Sequence, residues 1–166
     1  GHMPYEYDGA EDLPHLSEMT TAALRVIEKD PDGYFIMIEG GRIDHAGHKN
    51  DLQRNVLETI EFSRAVQAAF DMVKDRGDTL IIVTADHETG GLKVIKNNGK
   101  GKLPDVKWST KDHTASEVPL YAWGVSAEMA LQIKDNTQIF SWATAKSLSS
   151  ALVSKAKPEP AAASAE

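Results

Sequence analysis

Residues 34–48, YFIMIEGGRIDHAGH, join a short apolar run directly to a cluster of acids and histidines. The run at 34–38 is rich in aromatic and β-branched residues, which is typical of a strand buried on both faces in a helix-covered sheet. The same change occurs at 79–91, TLIIVTADHETGG, where a second apolar run ends in Asp86 and His87. We therefore predict two buried strands that each end in polar side chains.

The remaining patterns alternate between helix and strand. The predicted elements are helices over 17–29, 52–74 and 136–154 and strands over 34–38, 79–84, 92–95 and 118–123. Ser17 is the expected N-cap of the first helix, and residues 96–116 are expected to form a polar loop. The order of elements indicates an α/β layered sheet, incomplete because so few strands cannot form a full doubly wound sheet. We expect one domain over 1–154 and a disordered tail over 155–166.

Composition excludes several classes of function. The 166 residues include 18 Lys+Arg and 25 Asp+Glu, for a net charge of −7, so the chain has no excess of basic residues to follow a nucleic-acid backbone. It has no cysteine, which excludes disulfides, thiolate zinc sites and thiol nucleophiles. No stretch approaches the roughly 20 apolar residues of a membrane span. A transition-metal site in this chain has to consist of His, Asp and Glu.

Three polar clusters lie at predicted strand ends, at 39–48, 84–91 and 112–114. Ligands of open α/β sheets bind at the carboxyl ends of the strands, and parallel strands bring the first two clusters to the same edge. His113 precedes its strand, so it reaches that edge if the strand at 118–123 is antiparallel to the other two. We predict that antiparallel arrangement.

Asp44 and His48 are spaced i, i+4, so a helical turn puts both side chains on one face. A carboxylate oxygen and an imidazole nitrogen on that face can reach one ion at the ~2.0–2.2 Å typical of zinc. His113 as a third ligand leaves a position open for water or substrate, as catalytic zinc requires.

Asp86 and His87 are adjacent and can share an ion on a tight turn. Glu39 offers only oxygen, which suits a harder ion such as magnesium. The alternative is that these side chains are a solvated surface or helix caps. Five His and Asp residues in three strand-edge loops favour metal binding over that alternative.

Three stretches resemble the C-terminal part of the alkaline phosphatase family, and the resemblance runs from about residue 1 to about residue 154. They are EGGRIDHAGH at 39–48, VTADHETGG at 83–91 and HTASEVPLY at 113–121. The first two are long and specific, and the third is shorter but in the right order. The resemblance implies a partial, three-layer α/β/α sheet of mostly parallel strands with one antiparallel strand. It also implies a zinc- and magnesium-dependent hydrolase of phosphate monoesters.

Carried over position by position, the resemblance implies ligands for three ions. Asp44, His48 and His113 would hold a first zinc, Asp86 and His87 a second zinc, and Glu39 a magnesium ion. His45 lies where the family often has a phosphate-binding group, and the alternative of a plain surface histidine stays open. Arg42 could reach phosphate, although a salt bridge within the loop is the simpler expectation.

The serine nucleophile of the family has no recognisable counterpart in this sequence, so no catalytic nucleophile is assigned. We expect a fragment that binds metal but is inactive alone, and that pairs with the N-terminal half of the enzyme or with a second copy, as a homo-oligomer. The alternatives are a metal-binding assembly fragment without activity, or a related phosphodiesterase or sulfatase. We expect no nucleic-acid or membrane partner, and the resemblance implies a periplasmic or secreted protein.

Overall fold

The computed structural model describes residues 2–9 and 12–144. Its helices are α1 (Leu16–Ile27), α2 (Arg42–Lys49), α3 (Leu52–Val73) and α4 (Thr137–Ala143), with short 3₁₀ helices at Glu6–Asp8 and Ala127–Gln132. Its strands are β1 (Leu80–Val83), β2 (Glu88–Thr89), β3 (Lys93–Lys96), β4 (Asp105–Lys107), β5 (His113–Thr114) and β6 (Tyr121–Gly124). Along the described chain α1, α2 and α3 come first, the six strands follow, and α4 comes last, so the predicted alternation of helix and strand is not observed.

Helices α1 and α3 pack against each other and supply much of the core, since Leu24, Ala65 and Val73 are buried between elements. The predicted helix over 17–29 is confirmed with a shifted start. His15, not Ser17, is the N-cap, and its backbone N–H donates to the Glu18 carboxylate over 2.9 Å. Sequence reasoning preferred Ser17 because serine is the commoner cap.

A tight turn joins α2 to α3. Asn50 has the left-handed φ of 55° at the end of α2, a conformation that asparagine tolerates. Asp51 then caps α3 by accepting from the Arg54 backbone N–H over 3.1 Å. Asn55 donates from Nδ2 to the Ile43 carbonyl over 3.0 Å, which fixes α2 against α3.

The described strands form three antiparallel pairs, β1 with β6, β2 with β5 and β3 with β4. The predicted antiparallel arrangement of the strand near 118–123 relative to β1 is confirmed, with Ile82 opposite Ala122. The expected edge strand near 92–95 is present as β3. Its partner β4 lies inside 96–116, the region that was predicted to be a polar loop. The sequence did not indicate this strand because the residues of the β3–β4 hairpin are mostly exposed and do not contribute to a core.

Residues 34–38 differ from the prediction. Exposure alternates along this segment as it does in an extended chain, but no partner strand is bonded to it within the described residues, so it is not a strand of a ladder. Burial on both faces is also wrong, since Phe35 is 75% exposed and Met37 is 71% exposed. The α/β class is retained, but the described sheets are antiparallel because the segment expected to run parallel to β1 is unpaired.

The end of the predicted helix over 136–154 and the predicted tail over 155–166 lie outside the described residues beyond 144. One domain over 1–154 remains our proposal for the organisation of the chain. In the part of the chain that the structure describes, every helix is too short or too polar to cross a bilayer.

Candidate metal centre

Helix α2 positions Asp44 and His48. The chain turns from the extended segment into α2 through Gly40 and Gly41, and a Cβ built at Gly40 would lie 3.0 Å from the Phe62 ring on α3. Gly40 therefore lets the chain pass close to α3 just before α2 begins at Arg42. The i, i+4 spacing then brings Asp44 Oδ1 to 3.3 Å from His48 Nε2.

Pairing of β5 with β2 brings His113 to the same place. His113 Nε2 lies 3.1 Å from His48 Nε2 and 3.4 Å from Asp44 Oδ1. Two ligands of a tetrahedral zinc ion, each about 2.0–2.1 Å from the metal, are about 3.3 Å apart. The three donor atoms therefore have the spacing of three corners of such a tetrahedron, and the residues fit a zinc ion.

The hydrogen bond of His48 sets its tautomer. His48 Nδ1 lies against the Lys111 backbone carbonyl, which can only accept, so Nδ1 carries the proton. In the neutral ring Nε2 then holds a lone pair that points to Asp44 and His113. A carbonyl behind a ligating imidazole is the usual way in which proteins fix a metal-binding histidine.

Thr89 connects the two predicted zinc ligand sets. Its hydroxyl donates to Asp44 Oδ1 over 2.6 Å and lies 3.2 Å from His87 Nδ1. Because the single hydroxyl proton is used on the carboxylate, His87 Nδ1 has to be the donor to Thr89. This leaves the lone pair of His87 on Nε2, which lies 3.2 Å from Asp86 Oδ2.

The charge of Asp44 is favoured by its surroundings. Burial on its own would raise the pKa of Asp44, but the hydrogen bond from Thr89 and the nearby rings of His48, His113 and His87 outweigh it. The net result is a pKa below the ordinary value, so the carboxylate is ready to bind a cation.

Asp86 and His87 lie beside the first three donors. The His87 and His113 rings stack with centroids 3.5 Å apart, and the Asp86 side chain is 85% exposed. Glu39 lines a cavity of about 330 Å³ together with Asp44, Asp86 and His87. Among the described residues, neither Glu39 nor the pair at 86–87 is grouped with two further donors as tightly as Asp44, His48 and His113 are.

His45 also lines this cavity, and the His2 ring meets it edge-on with centroids 4.4 Å apart. Burial, followed by the charges of His2 and Arg42, holds the pKa of His45 below its ordinary value. Among the described residues, Arg42 does not make the expected salt bridge. Arg42 Nε donates to the Met3 carbonyl over 2.7 Å, and the guanidinium lies 4.4 Å from the centre of the Tyr5 ring.

Sequence reasoning missed the residues that support the ligands. The Glu88 carboxylate accepts from the backbone N–H groups of Gly91 and Leu92 and from the Thr114 hydroxyl. It therefore holds the β2–β5 pair, which presents His113. Neither Glu88 nor Thr89 is marked by spacing, and only their place inside the VTADHETGG stretch pointed to this region.

A second group of possible donors lies away from this centre. Glu6, His15 and Glu61 converge where α1 begins, and Glu61 is only 3% exposed. Their atoms are already paired, since His15 Nδ1 lies 2.8 Å from Glu6 and Glu61 accepts from the Ser17 backbone N–H over 2.9 Å. This group ties α1 to α3.

The fold and this centre define an α/β protein with metal-type ligands clustered from α2, from the turn after β1 and from β5. The family model described as "Alkaline phosphatase" matches residues 1–104. The chain belongs to the alkaline phosphatase family, which confirms the resemblance. The match includes the stretches at 39–48 and 83–91, and the stretch at 113–121 lies beyond it.

Relatives with known names support this membership. Alkaline phosphatase 3 of Bacillus subtilis is 43% identical over 94 residues, covering 57% of this chain and 20% of that protein. Membrane-bound alkaline phosphatase of Bombyx mori is 34% identical over 137 residues, covering 81% of this chain and 24% of that protein. The chain thus spans about a quarter or less of the length of these two relatives.

A solved structure shares the fold. A mutant of the TAB5 alkaline phosphatase with Mg bound in its M3 site superposes with a TM-score of 0.67 at 33% identity. The match covers 76% of this chain and 38% of that one. The α/β fold class is confirmed by this likeness.

Proposed function

We propose that this chain supplies the metal-ligating part of an alkaline phosphatase that hydrolyses phosphate monoesters. Asp44, His48 and His113 are the ligands of a first zinc ion in this proposal, Asp86 and His87 those of a second, and Glu39 binds magnesium. The observation that carries it is the triangle of Asp44 Oδ1, His48 Nε2 and His113 Nε2, with sides of 3.3, 3.4 and 3.1 Å. Bound divalent ions supply Lewis-acid polarisation of phosphate oxygens.

The residues of the chain have separate tasks in this proposal. Asp44 provides the negative charge of the first site, and Thr89 holds that carboxylate in place. The Lys111 carbonyl keeps the His48 lone pair on Nε2. The Thr89 hydroxyl accepts from His87 Nδ1 and so keeps the His87 lone pair on Nε2 as well. His45, which lines the cavity, contacts the phosphate of the substrate.

We further propose that a polypeptide segment outside this sequence supplies the serine nucleophile. The relatives have most of their length outside the matched region, which supports this part of the proposal. The periplasmic or secreted location and the homo-oligomeric state belong to the same proposal and rest on family membership alone.

Zinc affinity of the purified chain tests the ligand assignment. We expect Asp44→Asn and His113→Ala to weaken binding at the first site at least about 100-fold, because each leaves only two protein ligands. His15→Gln is the matched control, since it changes a histidine of the second group and should leave the affinity unchanged. Wild-type affinity in both ligand variants would contradict the assignment.

A colorimetric assay with a phosphate monoester tests the origin of the nucleophile. The chain alone should show no zinc-dependent turnover, and addition of a nucleophile-bearing N-terminal segment of an alkaline phosphatase should restore it. Robust zinc-dependent turnover by the chain alone would show that the nucleophile lies within these residues.

A further inference from the structure

The segment at 93–111, which contains β3 and β4, has a charge opposite to that of the rest of the chain. It includes six lysines and one acid, Asp105, for a local charge of +5. Because the whole chain has a net charge of −7, the remaining residues carry −12. We call this segment the lysine hairpin, and its lysines are Lys93, Lys96, Lys100, Lys102, Lys107 and Lys111.

The charges of the lysine hairpin are not neutralised within the described part of the chain. All six of its lysines are exposed. Among the described residues, the lysine that forms a salt bridge is Lys74, which lies outside this segment. The single acid, Asp105, accepts instead from Asn98 Nδ2 over 2.9 Å. The six ammonium groups are therefore available to an external anion.

The strand register places two of these lysines against each other. Lys93 is directly opposite Lys107 in the β3–β4 pair. Like charges at opposite positions destabilise an antiparallel pair, and an anion bound between them removes the repulsion. The register thus indicates a surface that is more stable with a bound anion than without one.

Exposed apolar side chains lie among the lysines. Val94 is 56% exposed, Ile95 60% and Leu103 38%. Every residue of β3 is exposed, so neither face of this strand is covered in the described part of the chain. A soluble polyanion gains little from such side chains, whereas a lipid surface takes them in below its charged head groups. The combination of charge and apolar surface therefore favours a lipid surface.

The lysine hairpin is fixed at its base to the candidate metal centre. The Ser109 backbone N–H donates to the Gly90 carbonyl over 3.0 Å, and the Lys111 carbonyl accepts from His48 Nδ1. Binding at the hairpin therefore keeps the metal centre within the length of the hairpin from the bound surface.

We propose that the lysine hairpin docks this protein on an anionic phospholipid surface. Clustered lysines are attracted to anionic head groups, and apolar side chains beside them enter the interface. Salt screens charges beyond about 8 Å, so the lysines nearest the lipid outweigh the acidic remainder of the chain. The composition of the whole chain predicted no membrane partner, because averaging conceals this local excess. The proposal goes beyond the proposed function and requires no bound metal.

Co-sedimentation with sucrose-loaded vesicles tests the proposal on the chain as it is, in EDTA so that metal binding plays no part. Vesicles of phosphatidylcholine with about 30% phosphatidylglycerol offer an anionic surface, and vesicles of pure phosphatidylcholine offer a neutral one. We expect the chain to bind the anionic vesicles and not the neutral ones, with an affinity that falls as the salt concentration rises.

Charge variants locate the binding surface. Lys100→Gln/Lys102→Gln should weaken binding to the anionic vesicles about 30-fold, since each lysine near such a surface contributes about fivefold. Lys29→Gln/Lys134→Gln is the matched control, because it removes the same charge from two exposed lysines outside the hairpin. The control should leave the affinity unchanged.

Two further variants separate binding from folding and lipid from a soluble polyanion. Lys107→Gln removes the repulsion with Lys93, so the free energy of unfolding should not fall, while binding to the anionic vesicles should weaken about fivefold. Ile95→Ser should weaken vesicle binding at least about threefold, because it removes an apolar side chain from the interface. It should leave the binding of inorganic polyphosphate unchanged.

Absence of vesicle binding, equal binding to neutral and anionic vesicles, or equal losses in the hairpin variant and its control would overturn the proposal. Unchanged vesicle binding by Ile95→Ser would also overturn it, because the charges alone would then be recognised, as they would be by a soluble polyanion. Zinc affinity and turnover, which test the proposed function, have no bearing on these outcomes.

Discussion

Thr89 has a larger role in the candidate centre than its small side chain suggests. Its one hydroxyl proton goes to Asp44, and this forces His87 to donate from Nδ1. The same hydroxyl thus orients a carboxylate of the first ligand set and an imidazole of the second. Groups of this kind change metal affinity by about 10- to 100-fold when they are removed.

We therefore predict that Thr89→Val weakens zinc binding about tenfold or more without unfolding the chain, because valine keeps the shape but loses the hydroxyl. Thr89→Ser keeps the hydroxyl and should restore most of the affinity. Competition with a zinc-responsive dye measures both. Equal affinity of the valine and serine variants would refute the role of the hydroxyl.

The ligating residue types could be found from sequence, because the i, i+4 spacing of Asp44 and His48 and the family motifs mark them. The supporting groups could not. The Lys111 contact is made by a backbone carbonyl, which every residue has, so the sequence does not mark it. Thr89 reaches Asp44 only because α2 packs next to β2. Such contacts depend on tertiary packing and produce no periodic pattern in the sequence.

At the scale of elements, Gly124 holds β6 against the start of β1. Its φ is +94°, and a Cβ at this position would lie 2.0 Å from the Thr79 carbonyl oxygen. Gly99 has a similar φ of +91° but nothing within 4 Å of the same position. A substitution at either glycine strains the backbone, but only at Gly124 would the new side chain also clash with a neighbour.

We predict that Gly99→Ala lowers the free energy of unfolding by about 1 kcal/mol, from strain alone. Gly124→Ala should cost about 2 kcal/mol more, because the Thr79 backbone has to move. Urea denaturation of both variants measures the difference. Equal losses in the two variants would mean that the β1–β6 junction tolerates a side chain.

The pairing of Glu6 with His15 makes the start of α1 sensitive to pH. The hydrogen bond to Glu6 and the charge of Glu6 raise the pKa of His15 above its ordinary 6.5. A raised pKa in the folded state means that this stabilisation is complete below pH 6.5 and is lost as pH rises through the folded-state value.

We predict that the free energy of unfolding of the wild type, from urea denaturation, falls more between pH 6 and pH 8 than that of Glu6→Gln. The difference should be no more than about 1 kcal/mol, because the pair is largely exposed. Measurements in EDTA remove metal effects, and the comparison of the two proteins cancels the contributions of the other histidines. A steeper pH dependence in the Glu6→Gln variant would contradict the assigned partner.

Elements with a strong period were predictable, and α3 at Leu52–Val73 matches the expected 52–74 closely. Helix α2 was not predicted as an element, because its sequence RIDHAGHK is polar and short, and only the local i, i+4 argument pointed to a turn there. The segment at 34–38 was predicted to be a doubly buried strand because its apolar run is typical of one. A strand also needs neighbouring strands to pair with, and the residues of 34–38 do not show whether such neighbours are present.

At the scale of the whole molecule, the apolar face of the extended segment lacks a cover among the described residues. Phe35 and Met37 are its most exposed side chains, next to a backbone without partners. Exposed apolar patches beside open strand edges favour association with other chains.

We predict that light scattering finds a concentration-dependent mass for the isolated chain, and that the double variant Phe35→Ser/Met37→Ser has a lower association constant. Val26→Ser is the control, since Val26 is 70% exposed and belongs to α1 rather than to residues 34–38. A stable monomer at all concentrations would contradict this prediction.

The central claim is that His48 and His113 present Nε2, and Asp44 a carboxylate oxygen, to one zinc ion. NMR of the imidazole nitrogens during zinc addition tests it most directly. We expect the Nε2 resonances of His48 and His113 to shift on binding of zinc, with His48 Nδ1 remaining protonated. Unshifted Nε2 resonances in these two rings at saturating zinc, or coordination of His48 through Nδ1, would contradict the account.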